Sequence, residues 1–193
     1  EKRQMEGYYC PTVEDAEKLA FSFLKDGQNV SFGGSMTLEE TGMLTALRHD
    51  PSIHLIDRST AKTPEETKKM FHDALSSDVY FMSTNAITTD GELVNIDGTG
   101  NRVAELIYGP ETVIILAGMN KVAANVDEAL SRVHNIATAQ NCIRLGKKTP
   151  CAITGACADC LSPDCICNQV VITRRSGIQG RIKVILIGEE LGY

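Results

Sequence analysis

Short apolar runs alternate with stretches whose apolar residues recur at helical spacing, almost from one end of the chain to the other. That alternation is the pattern of a parallel or mostly parallel sheet flanked by helices, so the predicted class is α/β. Gly7-Tyr8-Tyr9-Cys10 is the first predicted strand, and Thr12 then caps a helix whose Ala16, Leu19, Ala20, Phe23 and Leu24 share one face. Asn29 to Phe32 is the next strand. In Thr37-Leu38-Glu39-Glu40 a capping box opens a second helix, lined by Met43, Leu44 and Leu47, with Glu40 reaching back to the free backbone donors.

After a strand at Ile53 to Ile56, Thr63-Pro64-Glu65-Glu66 repeats the capping logic and sends Met70, Phe71, Ala74 and Leu75 inward. The strand Val79 to Met82 leads into Thr84-Asn85-Ala86-Ile87. Asp90-Gly91 is a tight-turn signal between Ala86 to Thr88 and Leu93 to Ile96, which predicts a hairpin inserted in the α/β pattern. A short helix over Arg102 to Tyr108, a buried strand over Val113 to Ala117 and a long helix over Val126 to Ala139 follow. Near the end, Val170 to Thr173 and Ile182 to Ile187 read as two strands joined by a turn around Gly177 and Gly180. The segment from Gly146 to Asn168 has no apolar periodicity, so it is predicted as a long cysteine-rich loop that needs another source of order.

Composition narrows the picture. A length of 193 residues suits one domain, spanning 1–193, and no repeat or Pro/Ser-rich linker divides it. Hydrophobic content of 42%, with 23% charged residues and no Trp, is that of a globular protein with an aliphatic core. The formal charge of -6 without a basic run argues against nucleic-acid binding. No apolar run approaches the ~20 residues that cross a bilayer. The start, Glu1 to Glu6, lacks the charged-then-apolar pattern of a secretory leader and has no initiator Met, so a few residues are expected to be missing. The odd cysteine count fits a reducing compartment, which makes a cytoplasmic location the expectation.

Candidate chemistry concentrates in the loops after strands. Ser31-Phe32-Gly33-Gly34-Ser35-Met36-Thr37 empties a strand through two glycines onto a capped helix start, where free N–H groups favour an anion. Asn95-Ile96-Asp97-Gly98-Thr99-Gly100-Asn101-Arg102 does the same; there Asp97 offers an acid or base, Thr99 and Asn101 polar contacts, and Arg102 a partner for a carboxylate or phosphate. Each loop alone also reads as an ordinary turn with a helix cap. Together with Asn85, they should converge outside the carboxyl ends of the strands, where open α/β sheets bind ligands. Ala117-Gly118-Met119-Asn120-Lys121 brings Lys121 to the same edge, although such a lysine is often simply solvated. No HExxH spacing and no Gly-x-Ser-x-Gly elbow is present, and none of the four histidines is assigned a role.

Five of the seven cysteines, Cys151, Cys157, Cys160, Cys165 and Cys167, fall within that loop with the spacing C-x5-C-x2-C-x4-C-x-C, while Cys10 and Cys142 stand apart in sequence. A C-x2-C pair grips one metal from a turn, and two more thiolates complete either a zinc site or an iron-sulfur cluster. Reduced, unliganded cysteines or a disulfide are the alternatives.

Taken together, Gly33-Gly34-Ser35-Met36-Thr37-Leu38-Glu39-Glu40-Thr41-Gly42, Thr84 to Thr88 and Asn95 to Arg102 resemble the LUD-domain family, named for lactate utilisation. The resemblance runs on through Ile107-Tyr108-Gly109-Pro110, Ala117 to Lys121, the cysteine segment and Arg181 to Tyr193, and lacks only an N-terminal helix usual in the family. It implies a fold similar to the NagB, ribose-phosphate isomerase and coenzyme A transferase group, a Rossmann-like sheet with its ligand site at the strand ends. It also implies a place in lactate or related carboxylate metabolism, with partner subunits of a lactate-oxidising system as expected partners. For the short cysteine-bearing branch it implies Cys151, Cys157, Cys160 and Cys167 as the metal ligands, with Cys165 where arginine is common.

The leading expectation is therefore a small anionic metabolite bound by Gly33, Gly34, Ser35, Thr37, Asn85, Gly98, Thr99, Gly100, Asn101, Arg102 and Lys121. If the protein is an enzyme, Asp97 and Glu39 are the candidate catalytic carboxylates. The alternative is an electron-transfer or regulatory subunit built on an iron-sulfur cluster in the cysteine loop.

Overall fold

A computed structural model describes residues 2–193; Glu1, where the expected domain begins, lies outside the described residues. In chain order the first elements are β1 (Glu6–Cys10), α1 (Val13–Phe21), β2 (Asn29–Phe32), α2 (Met36–Glu40), α3 (Met43–His49), β3 (His54–Ile56), α4 (Pro64–Leu75) and β4 (Val79–Met82). They are followed by β5 (Ala86–Thr88), β6 (Leu93–Asp97), α5 (Asn101–Ile107), β7 (Thr112–Gly118), β8 (Val122–Ala123), α6 (Val126–Arg132), α7 (Thr138–Arg144), α8 (Pro150–Thr154), β9 (Gln169–Thr173) and β10 (Ile182–Ile187).

The expected α/β class is present. Six strands form one sheet in the order β1-β10-β7-β4-β2-β3, and every pairing in it is parallel. Its central strands are buried on both faces, which is why they read as continuous apolar runs instead of alternating ones. Along β7, Ile114 and Leu116 face one core with Phe32, Phe81 and Leu38, whereas Val113 and Ile115 face the other with Tyr80, Met82 and Leu106.

The hairpin forms where Asp90-Gly91 places it, with Gly91 at φ 89°, but it is half of a second, four-stranded sheet in the order β8-β5-β6-β9. The last two strands join different sheets. β9 runs antiparallel to β6, while β10 inserts between β1 and β7 of the main sheet, so the two strands are not partners. Each alternates or fills according to its own sheet, and a tight turn between consecutive strands does not by itself make them neighbours.

Two helices also differ from expectation. The helix expected from Thr37 through Leu47 breaks at Gly42, whose φ of 72° ends α2 and starts α3. Its cap is Ser35, whose hydroxyl accepts from the Leu38 amide at 3.3 Å, so Thr37 lies inside the first turn with its side chain turned into the protein. The long helix at Val126 continues to Arg144 through a π-helical turn at Val133–Ala137. Such turns are often found at functional sites, and this one carries His134. Thr63 caps α4 as expected, accepting from the Glu66 amide at 3.1 Å. The cysteine segment is not wholly irregular, because Pro150 opens the short α8 and Gly155, at φ 76°, closes it. Among the described residues no helix is long and apolar enough to cross a membrane.

Candidate functional site

The parallel sheet points the carboxyl ends of β2, β3, β4 and β7 the same way, and the chain after each of them borders one cavity of about 400 Å³. β2 supplies Gly34, Ser35 and Met36, β3 supplies Arg58, β4 supplies Ser83, Thr84 and Asn85, and the turn after β7 supplies Lys121. From the second sheet, the end of β6 adds Asp97, Gly98 and Thr99, and α5 adds Asn101 and Arg102. The crevice lies where the chain leaves β2 to one side for β3 and returns on the other with β4, the topological switch at which such sheets bind ligands.

The lining is electrostatically one-sided. Arg58, Arg102, Lys121, Arg144 and Lys147 are basic and Asp97 is the one carboxylate, in a chain whose net charge is -6. Arg102 is not free to meet a ligand. Its two terminal nitrogens donate to Ser83 O (3.2 Å), Asn95 Oδ1 (2.6 Å), Asn85 Oδ1 (2.9 Å) and Ile96 O (2.8 Å), while Nε stands 3.5 Å from Asp97 Oδ2. All five donors of the guanidinium therefore face protein acceptors, and Arg102 is a strut that ties β4, β6 and the loop after β6 together. Asp97 is likewise engaged, since its Oδ1 accepts from the amides of Thr99 (3.1 Å) and Gly100 (2.8 Å) and fixes the loop in an Asx turn.

The remaining cations differ. Arg58 makes no ion pair and no side-chain hydrogen bond among the described residues, and its guanidinium lies 5.5 Å over the Phe71 ring. Arg144 donates to Tyr193 Oη (2.6 Å) and Asn141 Oδ1 (2.7 Å), with no carboxylate partner. Lys121 is 3% exposed and donates to Thr37 Oγ1 (2.7 Å) and Ser83 Oγ (3.1 Å). Burial pushes its ammonium down to about 7, helped by the charges of Arg132 and Arg102 and opposed by Glu40.

The structure brings most of the expected residues together and moves some out of reach of a ligand. Gly34, Ser35, Asn85, Gly98, Thr99, Asn101, Arg102 and Lys121 line the cavity. Thr37 stands behind it as the partner of Lys121, and Gly100 sits at the helix entry. Gly33 is a packing glycine, because a Cβ there would come within 2.9 Å of Tyr80 Oη and 3.1 Å of Arg102 Cγ. Glu39 is exposed on α2 and does not border the cavity, so the carboxylate paired with Asp97 in the sequence reading is absent from the site. Arg58, Ser83, Asn141, Arg144, Lys147 and Tyr193 went unnoticed. Ser83 was legible as the residue after a strand, whereas the others come from a turn and from helix and chain ends with no motif of their own.

A second cavity, of about 360 Å³, is lined by Cys142, Cys151, Cys157, Cys160, Cys165 and Cys167 together with His134. Cys142 is remote in sequence, but α7 packs on α8 and sets it beside Cys151 in one small core. His134 Nδ1 lies 3.6 Å from Cys157 Sγ, and Cys165 Sγ lies 2.9 Å from Cys167 Sγ. Burial raises the Cys167 thiol to about 12, and hydrogen bonding from Cys167 lowers Cys165. Among the described residues no three His, Cys, Asp or Glu groups converge to hold a single metal ion. Thiolates of this kind are ligands of soft metals and of iron-sulfur clusters.

A family model described as the LUD domain matches residues 1–187. The chain belongs to the LUD domain family. The family is associated with lactate utilisation. No curated protein matches the sequence. Among solved structures, this LUD domain is similar to eIF2B delta from Chaetomium thermophilum, at 18% identity over 62% of this chain and 51% of that one, with a TM-score of 0.40. It is also similar to ribose 5-phosphate isomerase A from Methanocaldococcus jannaschii, at 19% identity over 58% and 54% with a TM-score of 0.35. A DUF162 family protein from Deinococcus radiodurans matches at 13% identity over 91% and 94%, with a TM-score of 0.36. The LUD domain spans about half the length of the first of these.

Proposed function

We propose that this LUD domain binds a small anionic metabolite, a carboxylate, in the strand-end cavity, in the service of lactate or related carboxylate metabolism. One observation carries the proposal: an acidic chain gathers five basic side chains and one carboxylate around about 400 Å³ and leaves Arg58, Arg144 and Lys121 without ion pairs among the described residues. Arg58, half-buried with no ion pair among the described residues, is a cation whose desolvation cost a bound anion offsets. Arg58 supplies the forked donors that suit a carboxylate, and Met36, Ile96 and Ile166 supply apolar wall for its short carbon chain. Calorimetric titration at low salt with lactate, pyruvate and inorganic phosphate tests this. Saturable binding of the carboxylates at one site per chain is expected; heats no larger than buffer dilution for all three would overturn it.

The thiol cavity favours a second reading, an iron-sulfur cluster that gives the protein an electron-transfer or regulatory part alongside partner subunits. Cys151, Cys157, Cys160 and Cys167 would hold the cluster, and Cys142 and Cys165 line the same space. When bound, such a cluster supplies one-electron redox chemistry. Iron and sulfide analysis of anaerobically purified protein tests it: both in stoichiometric amount support the cluster, one zinc per chain would make the loop a structural staple, and metal-free protein would remove both.

A further inference from the structure

Lys121 is the group in the cavity whose surroundings least resemble those of an ordinary lysine. A surface lysine keeps its ammonium in water, and a buried one normally has a carboxylate beside it. Lys121 has neither. It is 3% exposed, and among the described residues it forms no ion pair. Its partners are two hydroxyls, Thr37 Oγ1 at 2.7 Å and Ser83 Oγ at 3.1 Å, supplied by α2 and by the end of β4. The charges that act on it from neighbouring elements are the guanidiniums of Arg132 on α6 and Arg102 on α5, against the carboxylate of the exposed Glu40 on α2. Arg58 and Arg144 add positive charge across the same cavity.

We infer that Lys121 is a carbonyl-reactive amine, which forms an imine with a small 2-oxo acid held in the cavity by its carboxylate. The inference rests on the anion-binding reading above and adds to it a substrate class and a covalent step. Burial together with nearby cations disfavours the ammonium, and both act on this side chain, so its amine carries a free electron pair near neutral pH.

The Lys121 Nζ pair attacks the ketone carbon, the carbonyl π pair moves to oxygen, and a proton passes from nitrogen to that oxygen to give a carbinolamine. The second N–H proton then passes to the hydroxyl, the C–O bond breaks, water leaves, and the nitrogen pair closes the C=N bond. The net change is amine plus ketone to imine plus water, with no oxidant or reductant. Thr37 and Ser83, which both accept and donate, are placed to pass the protons at Nζ. Arg58 holds the carboxylate, and this fixes which carbon faces the amine.

The test is reductive trapping on the full chain. Protein is incubated with pyruvate and cyanoborohydride at neutral pH, then weighed intact and mapped by peptide. The expected product is one adduct per chain, heavier by pyruvic acid less one oxygen atom, on the Lys121 peptide; excess lactate, which has the carboxylate and no ketone, should suppress it. Lys121→Met should lose the adduct, with circular dichroism checking that it folds. Calorimetric binding of pyruvate with no adduct at Lys121, or with label spread over exposed lysines and insensitive to lactate, overturns the imine while leaving the anion site intact. Absence of pyruvate and lactate binding overturns the anion site as well.

Discussion

Gly98 and Ile166 lie in backbone contact: a Cβ on Gly98 would stand 3.3 Å from Ile166 Cα and 3.4 Å from Ile166 O. Asn168 Nδ2 adds a 2.9 Å hydrogen bond to Gly98 O. Ile166 borders both cavities, so the loop after β6 and the cysteine segment form one wall between the anion site and the thiols. A methyl at Gly98 is closer to Ile166 than ordinary contact allows, so the cysteine segment must give by a few tenths of an ångström. Gly98→Ala should therefore destabilise the protein by about 1–3 kcal/mol, as overpacked sites do, and weaken carboxylate binding as well. Urea denaturation and calorimetry read the two effects, and an Ala variant unchanged in both would mean the wall is not held where it is described.

Arg102 is buried and all its donors face protein. Arg102→Met leaves Asp97 without its counter-charge and strands several buried acceptors, a change expected to cost about 3–5 kcal/mol in urea denaturation. Arg102→Lys keeps the charge and loses the fork, so most of the loss should persist. If Arg102 were chiefly a ligand contact, both variants would be near wild type in stability and defective only in binding.

Glu105 sets a pH dependence. Its side chain is 1% exposed, its Oε2 has no hydrogen-bond partner among the described residues, and burial pushes its carboxyl up to about 7 from an ordinary 4.5. Between those values the folded protein keeps a proton that the unfolded chain has released. Stability contributed by the protonated form is thus complete below about pH 4.5 and is lost as the pH rises through 7. Melting temperatures of wild type and Glu105→Gln, followed from pH 5 to pH 8, should converge or cross because only the wild type carries this fall. Parallel curves would show that Glu105 does not titrate in this window.

The cysteine segment lacks secondary structure except for α8, and the cluster reading makes the metal its source of order. Protein reconstituted anaerobically with iron and sulfide should resist proteolysis between Gly146 and Asn168, and chelation should restore cleavage there. Equal cleavage with and without the metal would rule out an ordering role.

The strands other than β8, and their order of appearance, were legible because a sheet covered on both faces demands runs such as Val113 to Ala117. The strand-end position of the cavity was legible from the loops that leave β2 and β6 through glycines. The partnering of β9 and β10 was not, since a strand's apolar pattern does not say which sheet it joins. Cys142 and His134 were assigned nothing because the π turn and the packing of α7 on α8, which bring them to the thiols, leave no local signature. Arg58 was missed because an arginine in a turn is usually solvated; its place over Phe71 and beside Gly34 is a tertiary fact.

Arg58 also gives the most direct test. Its guanidinium borders the cavity and lacks an ion pair among the described residues, so Arg58→Gln should leave fold stability within about 0.5 kcal/mol of wild type. Loss of a charge-assisted contact of about 1.5–3 kcal/mol should weaken binding roughly 10- to 100-fold. The measurement is parallel calorimetric titration of wild type and Arg58→Gln with lactate and pyruvate at low salt. The predicted result is saturable binding by the wild type that falls by that factor in the variant; equal affinity in the two proteins, or no binding by the wild type, would contradict a carboxylate site in the strand-end cavity.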